Sequence, residues 1–67
     1  MAPVAIMAKR IRAAREALGL TQEQLAARAR VHRSFVAKLE ATRADPRVSV
    51  ALRIAKALRV TLDDLTR

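Results

Sequence analysis

An all-α domain is what this sequence predicts, on three observations. Fifteen of the 67 residues are Ala, the strongest helix former, and the β-branched runs that strands require are absent. Apolar residues recur at intervals of three and four along successive segments, as on the buried stripe of an amphipathic helix. Thr21 and Thr61 each stand three positions before a residue able to return a hydrogen bond, Gln24 and Asp64, which is the spacing of a capping box at a helix start. The length suits one domain, and a chain of this size buries only about 60% of its unfolded surface.

Composition narrows the function. Fourteen Lys and Arg against six acids leave a net charge of +8, whose default partner is a polyanion, most often nucleic acid. Genome base composition also produces Ala- and Arg-rich chains, so the charge gains weight where it coincides with a motif. There is no Cys and one His, which leaves no disulfide framework and no zinc site, and no cofactor is expected. No apolar run approaches a membrane span, and MAPVAIMAKR is too short in its apolar part for a secretion signal. The expected location is the cytoplasm, in association with the nucleoid through DNA, with no membrane partner.

Residues 1–6, MAPVAI, read as a loosely ordered arm, because Pro3 discourages an early helix start. Residues 7–67 form the domain. Met7, Ile11, Ala14 and Leu18 trace the stripe of a first helix, closed by Gly19, the only glycine in the chain. Leu20 and Leu25 flank the Thr21 cap as a hydrophobic staple, and Leu25, Ala26 and Ala29 give the stripe of a helix from Gln22 to Ala29. After a break at Arg30 to His32, Val31, Phe35, Val36 and Leu39 form the buried stripe of a helix from Arg33 to Ala41. Residues 41–47, ATRADPR, have no stripe, and Pro46 disfavours helix at Asp45, so they form a loop. A fourth helix from Val48 to Leu58 is expected to bury Val48, Ala51, Leu52, Ala55 and Leu58, with Arg53 and Lys56 outward. A short fifth follows from Leu62 to Leu65, with Val60 and Leu65 as its staple.

The stretch from Thr21 to Glu40 is thus laid out as a helix-turn-helix. Its second helix keeps Arg33, Ser34, Ala37 and Lys38 outward, a face of donors and short side chains without an acid. A helix in a DNA major groove needs such a face, because a carboxylate would repel phosphates while Arg and Lys donate to guanine.

This pattern resembles the Cro and phage-repressor (Xre) family of bacterial transcriptional regulators. The resemblance runs from Met7 to Leu65 through KRIRAAREALGLTQEQLA, VHRSFVAKLE, DP and ALRIAKALRVTLDDL. Its most specific part is Leu20-Thr21-Gln22 with Leu25-Ala26, followed by Val31, Ser34, Val36 and Glu40. Family glycines are missing at Arg30, Thr42 and Arg59, and His32 stands where Ser or Thr is usual and cannot cap through a hydroxyl. Arg30 is left either in a left-handed conformation, at roughly 1 kcal/mol, or in a differently shaped turn.

The resemblance implies a five-helix, lambda-repressor-like domain that binds double-stranded DNA. It implies that Arg33, Ser34, Ala37 and Lys38 meet base edges, with His32 at the groove entrance, and that Gln22 binds a phosphate and braces the recognition helix. Arg43 and Arg47 are expected beside that helix, near the phosphate backbone. Arg15 and Glu40 match an ion pair that ties the first helix to the end of the recognition helix. The leading expectation is a sequence-specific regulator that binds a two-fold symmetric operator as a homodimer, with helix five and exposed parts of helix four, including Val50 and Leu62, as interface surface. The alternative is an antitoxin or adapter whose main partner is another protein. An enzyme is not expected, since the single His lacks a nucleophile pattern and Asp63 and Asp64 read as first-turn acids.

Overall fold

The computed structural model describes residues 4–67. These form five helices and no strand: α1 (Val4–Ala17), α2 (Gln22–Ala29), α3 (Arg33–Glu40), α4 (Val48–Ala57) and α5 (Leu62–Thr66). α1 packs on α3 and α5, α2 packs on α3 and α4, and α4 also meets α5. The result is a body of 27 × 21 × 19 Å.

The starts of α2 and α5 are fixed by reciprocal caps. Thr21 Oγ1 accepts from Gln24 N at 3.0 Å while Gln24 Oε1 accepts from Thr21 N at 2.9 Å, and Thr61 and Asp64 repeat the exchange at 3.1 and 2.9 Å. The bond from the Thr61 backbone N–H, with that from its hydroxyl, holds the Asp64 carboxyl below the usual carboxylate range.

Four helix ends share one closure. Gly19 (φ 70°), Arg30 (φ 58°), Thr42 (φ 60°) and Arg59 (φ 59°) adopt the left-handed conformation. In each case the following N–H reaches back to a carbonyl five residues earlier: Leu20 to Arg15 at 3.0 Å, Val31 to Ala26 at 3.0 Å, Arg43 to Lys38 at 2.7 Å, Val60 to Ala55 at 3.0 Å. These are Schellman turns, which satisfy carbonyls that have no partner within the helix. The helices therefore end where glycine is missing as sharply as where it is present, at a steric cost of about 1–2 kcal/mol for each non-glycine residue.

The core consists of Met7, Ile11, Leu25, Ala26, Ala29, Val36, Leu39, Ile54, Ala55, Leu58 and Leu65, with Val31 and Phe35 packed against it. Three expectations about the chain differ from this outcome. First, α1 begins at Val4, so residues 4–6 of the expected arm are helical, while residues 1–3 lie outside the described residues. Residues 4–17 contain neither proline nor glycine, so nothing in that segment interrupts a helix. Second, Leu18 is exposed and Leu20 is buried, because the left-handed turn at Gly19 folds the chain back on α1.

Third, Val48 and Leu52 are 67% and 50% exposed, and the buried face of α4 is Ala51, Ile54 and Ala55, continued by Leu58 just past its end. Those positions follow the i, i+3, i+4, i+7 rule one step round from the expected stripe. α4 carries apolar residues over so much of its circumference that periodicity alone does not select the face.

Candidate nucleic-acid interface

The relative placement of α2 and α3 rests on buried apolar contacts and on one polar cluster. Leu25, Ala29, Val36 and Leu39 are 0–1% exposed. At the opposite end of α3 from the turn, Arg15 of α1 donates to Glu40 through Nε to Oε2 at 2.7 Å and through Nη2 to Oε1 at 2.9 Å. Its third nitrogen, Nη1, donates to the Leu20 carbonyl at 2.7 Å, and Gln22 Nε2 donates to Glu40 Oε1 at 3.2 Å. The two charged side chains are 12% and 5% exposed. This bond to Glu40 is also the main reason the Arg15 guanidinium is held above its ordinary pKa. Arg15 of α1 and Gln22 of α2 thus meet on the Glu40 carboxylate of α3, while Arg15 also ties in the α1–α2 turn through Leu20. Gln22, expected at a phosphate, is half-buried with its amide nitrogen turned to Glu40.

The start of α3 is set by the residue before it. His32 is the N-cap (φ −75°, ψ 145°), and its Nδ1 accepts from Ser34 N at 3.1 Å and lies 2.7 Å from Ser34 Oγ. An Nδ1 lone pair accepts both contacts if the ring proton sits on Nε2, so one neutral tautomer explains the pair. His32 has no hydroxyl to cap with, as the sequence indicates, and its ring nitrogen serves as the acceptor instead. The signal in the sequence was Ser34, two residues on, where an N-cap acceptor finds an unpartnered amide.

Beyond the cap, Arg33, Ser34 and Lys38 are exposed and Ala37 is half-buried. Glu40 is the only acid in α3, and it is bound to Arg15. The outward face of the helix therefore presents no carboxylate, only the donors of Arg33 and Lys38, the Ser34 hydroxyl and the Ala37 methyl. Arg33 Nη1 lies 4.0 Å from Glu23 Oε2 on the first turn of α2, with both side chains more than two-thirds exposed, a contact worth under about 1 kcal/mol in water. Sequence reasoning missed this neighbour, since Glu23 looks like an ordinary first-turn acid.

Arg43 and Arg47 are both exposed in the α3–α4 connection. Arg43 follows the left-handed Thr42 that closes α3, and Arg47 is the N-cap position of α4 but makes no side-chain cap hydrogen bond. Both side chains are exposed to solvent. Among the described residues no group of His, Cys, Asp or Glu could hold a metal ion, and no helix is long and apolar enough to cross a membrane.

The sequence profile of the family described as Helix-turn-helix matches residues 11–65. No curated protein sequence matches the chain. Among solved structures, the restriction-modification controller protein C.AhdI from Aeromonas hydrophila is similar, with a TM-score of 0.89 and 31% identity over 92% of this chain and 94% of that one. The hypothetical transcription factor NHTF from Neisseria superposes with a TM-score of 0.93 at 29% identity, over 97% of this chain and 75% of its own. The clp gene regulator ClgR from Corynebacterium glutamicum, at 22% identity and a TM-score of 0.90 over 97% of this chain and 69% of its own, shares the fold. With its two capped motif helices and a profile match spanning nearly the whole domain, the chain belongs to the Cro/C1-type (Xre) helix-turn-helix family of DNA-binding transcriptional regulators.

Proposed function

We propose that the protein is a sequence-specific regulator that lays α3 in the major groove of a two-fold symmetric operator, one copy on each half-site. The observation that carries this reading is the outer face of α3, which has two exposed cations and no carboxylate. Arg33, Ser34, Ala37 and Lys38 serve as base readers, with His32 at the entrance, and Arg43 and Arg47 flank them as phosphate contacts. Gln22 stands at the N-terminus of α2, where the helix dipole also favours a phosphate, and the hydrogen bond its side-chain amide donates to Glu40 couples that contact to α3.

An eight-residue recognition helix is about 12 Å long and meets only a few base pairs. A second copy about one DNA turn away supplies the remaining specificity. Val48 and Leu52, exposed four residues apart on α4, together with half-buried Val50 and Leu62, offer apolar surface for that second copy. The similarity to a restriction-modification controller over nearly the full length of both chains supports transcriptional control over the reading in which another protein is the main partner.

The test is selection of bound sequences from a random duplex pool, followed by sedimentation of the protein with the selected site. The expected result is an inverted repeat occupied by two chains. An asymmetric site saturated by one chain overturns the two-copy reading, and no enrichment of any sequence overturns specific readout.

A further inference from the structure

A cleft of about 510 Å³ lies between the C-terminal ends of α2 and α4. Arg28 and Arg30 border it from α2, and Arg53, Lys56 and Arg59 from α4 and the turn beyond. Ala29 and Ala57 also line it, and among the described residues none of the five cations is ion-paired with a carboxylate. Both helices begin at residues proposed to face DNA, Gln22 and Arg47. From those starts to Arg30 and Lys56 the helical rise is roughly 12 and 13 Å, so the cleft lies toward the opposite ends of α2 and α4 from the proposed phosphate contacts.

A simpler role explains part of this charge. Arg28 and Lys56 sit in last turns, where cations complement the helix dipole, and Arg53 Nη2 donates to the Arg30 carbonyl at 3.5 Å. Two helix ends, however, present only about one negative charge together, which leaves the cleft with a net of roughly +4. Like charges lining one cleft repel, and a counter-charge on a ligand relieves that repulsion.

We propose that this cleft is a binding site for a small oligophosphate, a molecule with three or four adjacent phosphates and about four negative charges. Four guanidinium groups and one ammonium suit that ligand, since guanidinium pairs bidentately with phosphate oxygens. The volume falls in the range of small-molecule sites, and the two alanines let phosphate oxygens come close to the helices. No aromatic residue lines the cleft, so a nucleobase has nothing to stack on. The site therefore recognises the phosphate chain, and inorganic tripolyphosphate and ATP bind it alike.

The experiment is a titration of the whole chain, without DNA, with sodium tripolyphosphate and with ATP, read by amide chemical shifts and calorimetry. The expected result is saturable one-to-one binding, with shifts concentrated at Arg28–Arg30 and Arg53–Arg59. Arg28→Gln with Lys56→Gln weakens binding about tenfold or more, whereas Lys9→Gln with Arg12→Gln, which removes as many charges from α1, changes it less than about twofold.

Equal weakening by the two double variants, or shifts spread over α3, reduces the effect to diffuse attraction and overturns the proposal. Absence of shifts at the cleft amides with tripolyphosphate also overturns it. ATP binding much more tightly than tripolyphosphate overturns phosphate-only recognition. Circular dichroism checks that each variant is folded, and the wild-type shift map decides the matter if one is not. Because no DNA enters the binding test, its failure leaves the reading of α3 untouched.

Discussion

Arg15 and Glu40, 25 residues apart in the chain, are joined by two nearly parallel hydrogen bonds of 2.7 and 2.9 Å, and together they fix the recognition helix to α1. Because both side chains are almost out of water, the desolvation of each charge is offset only while the other is present. Removing Glu40 strands a guanidinium whose one remaining partner is the Leu20 carbonyl.

Glu40→Ala is therefore expected to destabilise the fold by about 2–3 kcal/mol. Arg15→Ala with Glu40→Ala should cost less than the sum of the two single changes, by about 0.5–3 kcal/mol. Urea unfolding of the four proteins measures this, and strict additivity removes the pair from the account of stability.

The His32 cap separates shape from chemistry at the start of α3. His32→Ala deletes the acceptor for Ser34 N and should cost about 1 kcal/mol, while His32→Ser, which restores an N-cap oxygen, should recover most of that loss. Equal stability of the Ala and Ser variants would show that the ring nitrogen contributes nothing there.

The left-handed residues at helix ends predict changes in the opposite direction. Arg30→Gly, Thr42→Gly and Arg59→Gly each remove a steric penalty of about 1–2 kcal/mol and add roughly 0.5–1 kcal/mol of unfolded-state entropy loss. Each should thus raise stability by a few tenths to about 1 kcal/mol in denaturant melts. A loss at all three positions would mean that the side chains make contacts outweighing the strain.

Legibility in the sequence followed the strength of the local signal. Thr21 with Gln24 and Thr61 with Asp64 are self-contained, since both partners lie within one turn, and the helices start where that spacing places them. Arg30 was ambiguous, because a non-glycine residue reveals a left-handed turn only through the tertiary contacts that impose it. Leu18 and Val48 show the limit of periodicity at helix ends, where a residue can belong to the stripe and still lie beyond the neighbour that would cover it. His32 shows a limit of residue classes: a capping table built on hydroxyls and carboxamides overlooks an imidazole nitrogen. The basic cleft was not legible at all, because its cations come from segments more than twenty residues apart that only packing of α2 against α4 brings together.

The last prediction distinguishes reading bases from holding the backbone, through Arg33 and Arg43. Arg33 stands in the first turn of α3 with its guanidinium exposed and only a 4.0 Å contact to Glu23 to give up, so it is free to donate to a guanine edge. Arg33→Ala should weaken operator binding by about 1–3 kcal/mol and relax preference at one position of each half-site. Arg43 lies past the left-handed Thr42 that closes α3, and in the proposed docking it meets only phosphate. Arg43→Ala should weaken operator and non-operator DNA alike and lower the salt slope by about one per lost phosphate contact. Both side chains are exposed, so both variants should unfold at nearly the wild-type denaturant concentration. Binding measured across a salt series on the selected site and on single-base variants of it gives the answer. If Arg33→Ala leaves base preference unchanged while Arg43→Ala alters it, α3 enters the groove in a different orientation from the one proposed.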